Sequence, residues 1–287
     1  MNPLVYFAVI PALASLKAIL QGYLSKGKQK ELPDLMQMNG WMFLCLSLVL
    51  LPIYFRGFPS ASVYLPAFLY ALLCVAFQMV YAMAFHVGPV GLTTVFSCFS
   101  LVIPMLVGLM FYQETVSAWN LAGLLLLAFP LILLPKRDGK AASKRWFFFA
   151  ILTLLTSGLA NASVMILSRS AFSDYDKQMF VLISDVFCIP VCFGLAAILR
   201  RGRTFERPTL SFFCKVVPMG VALGFHTLLT SAALRQIPSV VYYPIVNILT
   251  ITLAVASDYL LYREKLTKRQ VVGLIFGAAC IVLLNLK

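Results

Sequence analysis

Charge is what this sequence has least of. Asp, Glu, Lys and Arg make up 11% of its 287 residues, against about a quarter in an ordinary soluble domain, and such a surface could not be kept in water. Acidic side chains are the scarcest, with 10 Asp and Glu against 23 Lys and Arg, and there are two histidines. That shortage argues against an enzyme, which would need a cluster of His or carboxylates at one membrane face. The seven cysteines include no C-x-x-C pair and lie in or beside apolar runs, so they read as inert core thiols rather than a metal site or a disulfide framework. No G-x-x-x-x-G-K-[ST] is present, so nucleotide hydrolysis would fall to another chain. Neither a metal nor any other cofactor is expected. The first apolar run lacks a basic segment ahead of it and runs past signal-peptide length, so no cleavable leader is expected.

What the chain has in abundance is apolar sequence, 61% of all residues. Ten spans of about 20 residues would take roughly 200 positions and leave some 87 for loops. The runs fall at 3 to 24, 35 to 55, 63 to 86, 88 to 112, 117 to 134, 147 to 170, 178 to 199, 211 to 235, 238 to 262 and 268 to 286. Each is long enough for a helical crossing, and none alternates as a membrane barrel strand does. An all-α polytopic membrane protein is expected. The longest polar interruption, Pro135 to Trp146, splits the spans five and five. Residues 1–134 would form one five-helix unit, 135–146 a basic linker and 147–287 a second unit.

Sliding the sequence along itself lays residues 88 to 137 over 238 to 287 without a gap. Tyr112-Gln113-Glu114 then falls on Tyr262-Arg263-Glu264, and Gly123-Leu124 on Gly273-Leu274. A Y-x-E followed nine residues later by Gly, at the same place between two spans, reads as an internal duplication. An odd number of spans per copy makes the second copy enter from the opposite side. The expected architecture is therefore ten transmembrane helices as two inverted five-helix repeats around a central cavity.

With these endings, Phe111 to Val116 and Tyr262 to Leu266, and the ten-span count, the chain resembles the drug/metabolite transporter superfamily and its duplicated EamA-like repeat along its whole length. The resemblance implies a cavity lined mainly by helices 1, 3, 4, 6, 8 and 9. It also implies transport of a small molecule, in a superfamily that includes exporters and importers.

Basic residues cluster on one side. Sixteen Lys and Arg lie in loops 1-2, 5-6, 7-8 and 9-10, from Lys26 to Arg269, and five (Arg56, Arg169, Lys177, Arg235 and Lys287) lie opposite. The positive-inside rule puts both termini outside, most simply at the plasma membrane. The basic excess is thus an orientation and headgroup signal, and no nucleic-acid partner is expected.

In lipid, a polar side chain needs a partner or water, so the polar residues within spans are the site candidates. Span 4 carries Thr93, Ser97, Ser100 and Pro104 on one helical face, and the positions 150 residues later are Tyr243, Asn247, Thr250 and Ala254. Two such stripes suggest one cavity seen from both halves, or else interhelical hydrogen bonding. Span 3 adds Gln78 and Tyr81, span 8 His226 and Thr230, and span 6 Ser157 and Asn161. Lys17, Asp185 and Asp258 are the charges well inside a span, with Gln21 one turn beyond Lys17. Lys17 is expected to meet an anion, either Asp185 or a substrate group. Asp185 is expected to serve as an ion pair or coupling group, Asp258 as an interfacial ion pair, and Pro104 and Pro244 as bends.

The leading functional expectation is a secondary transporter moving a small organic metabolite or drug-like amphiphile, efflux included, by alternating access. The competing expectations are a non-transporting interaction subunit, whose polar stripes only lock helices together, or a component of a flippase for lipid-linked intermediates.

Overall fold

A computed structural model describes residues 3–25, 31–112, 119, 122–123, 126, 136–137, 140–141, 143–168, 170–200, 208–234, 245–247, 249–253, 256 and 268–284. The helices are α1 (Pro3–Ser25), α2 (Leu32–Tyr54), α3 (Tyr64–Val87), α4 (Val90–Cys98), α5 (Val102–Tyr112), α6 (Lys144–Ser168), α7 (Asp174–Leu199), α8 (Leu210–Leu234) and α9 (Lys268–Leu284). Seven helical stretches among the described residues are long and apolar enough to cross a membrane, with α4 and α5 counted as one. The expected spans 117 to 134 and 238 to 262 lie mostly outside the described residues. So do Glu114, Tyr243, Asp258 and Glu264. Within the expected linker, Lys136–Arg137 and Lys140–Ala141 pair as a minimal antiparallel hairpin.

Local sequence explains where the helices begin and break. Pro33 sits in the first turn of α2, where a missing N–H costs nothing, and the Glu31 amide donates to Asp34 Oδ2 at 3.1 Å. Ser173 caps α7 by accepting from the Asp176 amide at 3.1 Å. The fourth expected span is two helices joined by a 3₁₀ turn, Phe99–Leu101. Pro104 lacks the N–H that would serve the Ser100 carbonyl four residues back, and the ladder breaks there.

Helix α2 packs along α7, α3 along α6 and α1 along α8, and α2 also touches α8 while α3 touches α7. Exchanging α1, α2 and α3 for α6, α7 and α8 turns this set of pairings into itself. Lipid is as apolar as a leucine side chain, so these seams are held by close fit and hydrogen bonds rather than by water exclusion. A Cβ at Gly220 on α8 would sit 2.6 Å from the Met42 carbonyl oxygen, so glycine sets how near α8 approaches α2. Trp41 of α2 meets Phe193 and Phe213 edge-on, with ring centroids 5.6 and 5.1 Å away. Leu65, Leu69, Phe148, Ile198 and Phe225 point outward and are exposed, the apolar coat that a bilayer requires.

The α2–α7 pair is tied at both ends. Buried Arg200, just past α7, forms an ion pair with Asp34 and donates to Gln37 Oε1 at 2.9 Å. At the opposite end Asp176 accepts from the Ser60 amide and hydroxyl, each at 3.0 Å, and the Tyr175 hydroxyl donates to the Gly57 carbonyl at 2.7 Å.

Candidate functional site

Lys17 on α1 is buried where α1 and α3 meet, and its Nζ donates to Gln78 Oε1 at 3.1 Å. The same oxygen accepts from Gln21 Nε2 at 3.1 Å, and Gln21 Nε2 also lies 3.4 Å from Asn39 Oδ1 on α2. Residues 17 and 21 are one turn apart on α1, so one face of that helix presents both donors to α3. The Lys17 ammonium lies 4.8 Å from the centre of the Tyr81 ring, one turn beyond Gln78 on α3. Tyr81 in turn shares a 3.0 Å hydroxyl contact with Thr94. His226 lies partly buried on α8, the helix that packs along α1. Side chains of α1, α2 and α3 thus form one buried hydrogen-bonded cluster, with the ammonium held between α1 and α3.

This cluster is not self-sufficient. Lys17 has three N–H groups, yet no carboxylate of a described residue pairs with it. Gln21 Oε1 and Asn39 Nδ2 are buried without any hydrogen-bond partner. An orphaned buried polar group costs on the order of 1–3 kcal/mol, and here such groups stand side by side around a charge.

The α4 stripe behaves differently. Trp146 Nε1 donates to Thr93 Oγ1 at 2.9 Å, while the Thr93 hydroxyl donates to the Pro89 carbonyl at 2.8 Å. Ser100 Oγ accepts from Ser157 Oγ at 3.0 Å and from Asn161 Nδ2 at 3.1 Å. Thr93, Ser100, Ser157 and Asn161 therefore stitch the α4–α5 segment to α6. The side chain of Ser97, half-buried on the same stripe, makes no hydrogen bond to a described residue.

The remaining candidates are scattered. Asp185, the suggested partner of Lys17, is buried on α7, while the Lys17 ammonium is met by the neutral Gln78 amide. The Asn247 amide nitrogen is buried without a partner, and the adjoining Val246 packs on Tyr6 and Ile10 of α1 and Ala233 of α8. Tyr243 lies outside the described residues.

Four residues that make buried polar contacts escaped the sequence reading. Asn39 stands only five residues into its expected span and reads there as a near-surface group. Trp146 was assigned to the linker. Arg200 counts there among the basic loop charges, and Asp34 stands one residue ahead of its expected span. A polar residue within a turn or two of a span end was the one signal that would have drawn attention to them.

Comparison with known proteins adds the following. The family model described as EamA-like transporter family matches residues 148–286. A solved crystal structure carrying no functional description superposes with a TM-score of 0.61 at 16% identity, over 99% of this chain and 97% of the other. At that identity the likeness concerns the fold alone. No curated protein matches the chain significantly.

Proposed function

We infer that the chain, whose residues 148–286 match the EamA-like transporter family, is a secondary transporter of the drug/metabolite transporter superfamily. It is read as ten spans in two inverted halves that admit a small organic metabolite alternately from either face. The EamA-like family is a transporter family rather than an enzyme family. The observation that carries the reading is the buried cluster of Lys17, Gln21, Gln78 and Asn39, with two orphaned polar atoms at the junction of α1, α2 and α3. A helix-locking role would satisfy each of its polar groups internally, as the bonds between α4–α5 and α6 do. A binding site leaves some of them for its ligand.

The self-exchanging set of helix pairings supports the inverted arrangement, because two halves related by a twofold axis in the membrane plane must pack reciprocally. Within this reading Lys17, Gln21, Gln78, Tyr81 and His226 contact substrate directly, with Ser97 and Asn247 entering from the two halves. Loops 5-6, 7-8 and 9-10 face the cytoplasm. Reconstitution into proteoliposomes tests the function: wild-type protein is expected to move radiolabelled metabolites down an imposed gradient with saturation, and Lys17→Met to reduce that flux at least about tenfold. Equal flux in protein-free vesicles would reject transport.

A further inference from the structure

The donors and acceptors around Lys17 are not balanced. The ammonium spends one of its three N–H groups on Gln78 Oε1, and Asn39 Nδ2 holds two N–H groups with no partner. The ring beside the ammonium is that of Tyr81, and no acid of a described residue pairs with Lys17. Against this surplus of donors stands one free acceptor, Gln21 Oε1. Gln78 offers nothing further on that side, since its oxygen is already shared between Lys17 and Gln21. All four side chains are at least nine-tenths buried, with Gln21 and Asn39 fully so.

A cation brought here would meet Lys17 without a neutralising carboxylate, and at 4 Å two like charges repel by about 4 kcal/mol even at an effective dielectric of 20. A neutral ligand would leave the ammonium uncompensated in a low-dielectric interior. An anion removes both penalties, and a carboxylate can take N–H donors on two oxygens at once. The single free acceptor asks for one donor on the same ligand, within a bond or two of the charge. We propose that the site formed by Lys17, Gln21, Gln78 and Asn39 binds a small carboxylate bearing an adjacent hydrogen-bond donor, with the carboxylate on Lys17 and Asn39 and the donor on Gln21 Oε1. The Tyr81 ring, already beside the ammonium, forms an apolar wall.

This inference rests on the transporter reading, so its test separates the two. Full-length protein is melted in detergent with lactate and mandelate, and with lactamide, mandelamide and 2-amino-1-phenylethanol as neutral and cationic counterparts. At millimolar concentration at least one hydroxycarboxylate is expected to raise Tm by about 2 °C or more, and the counterparts not to. Lys17→Met is expected to abolish the shift and Lys17→Arg to retain part of it. Gln21→Leu and Asn39→Leu, which keep the charge, are expected to weaken binding several-fold and serve if Lys17→Met does not fold. The proposal is overturned if no carboxylate shifts Tm, if an amide or the amine does so as strongly, or if the shift survives in the Lys17, Gln21 and Asn39 variants. Flux of the same compounds into proteoliposomes then assigns the failure. Movement of the amine or an amide leaves the transporter standing and rejects the anionic class, whereas no protein-dependent flux of any compound rejects the transporter itself.

Discussion

Lys17 and Gln21, one turn apart on α1, donate to the same atom, Gln78 Oε1, at 3.1 Å each. One oxygen on α3 thereby fixes two side chains of α1, and the strength of that junction depends on a single carboxamide.

Gln78→Leu is expected to lower Tm by several degrees, since two buried donors lose their acceptor at a cost of about 1–3 kcal/mol each. Gln78→Glu keeps the acceptor and turns the contact into an ion pair. Its folded yield is expected to match wild type while uptake of carboxylates falls at least about tenfold, because Lys17 is then occupied from within. Thermal melts and proteoliposome flux on the two variants check both statements.

Thr93→Val removes the acceptor for Trp146 Nε1, buried at the α4–α6 seam. Stability is expected to fall by about 1–3 kcal/mol, with an unchanged KM for transport. A raised KM in a variant of normal stability would return Thr93 to the substrate site.

Arg200→Ala leaves Gln37 and Asp34 without their shared cation. Removing one partner of a fully buried pair costs about 3–5 kcal/mol. Asp34 is partly solvated, with 30% of its side chain exposed, so about 1–2 kcal/mol is expected. Urea or thermal titration of the variant in micelles measures it, and Arg200→Lys is expected to recover part of the loss.

Gly220→Val places carbon atoms against the Met42 carbonyl on the neighbouring helix. Overpacking of this kind costs about 1–3 kcal/mol. A lower Tm, together with weaker cross-linking between engineered cysteines at Leu46 and Leu223, is the expected outcome.

Orientation is checked with single cysteines at Lys144 and Ser173 in an otherwise cysteine-free protein. An impermeant thiol reagent on intact cells is expected to label position 173 and spare position 144. The reverse pattern would place the basic loops outside.

Much of the helical layout can be read from hydropathy alone. Residues 3 to 24 correspond to Pro3–Ser25, and 63 to 86 to Ala61–Val87. The largest shift is at α7, which starts at Asp174 rather than 178, because a capped first turn carrying Asp174 and Asp176 scores as loop although its backbone is helical. Lys17, Gln21, Gln78 and Tyr81 were legible as polar groups needing partners, because each lies at a depth where lipid forbids it, and the structure brings them together. Their partners were not. The Gln21–Asn39 contact spans 18 residues and the Trp146–Thr93 bond 53, and no periodicity in one chain encodes which face meets which. For the same reason the α4 stripe has two readings in sequence, cavity or seam. Its bonds to α6 account for Thr93 and Ser100.

The pair of ties on α2 and α7 has a mechanical meaning. A helix of 23 residues is about 34 Å long, and α2 is fastened to its neighbour at each extremity, by Arg200 below one end and by Ser60 and Gly57 beyond the other. A beam clamped at both supports can twist about its length but cannot swing open like a door. Under the alternating access proposed above, the α2–α7 beam would be the axle, and the travel would fall to the seams of α1 with α8 and α3 with α6. Lys17 is carried by a helix of the first of those seams and Gln78 by a helix of the second.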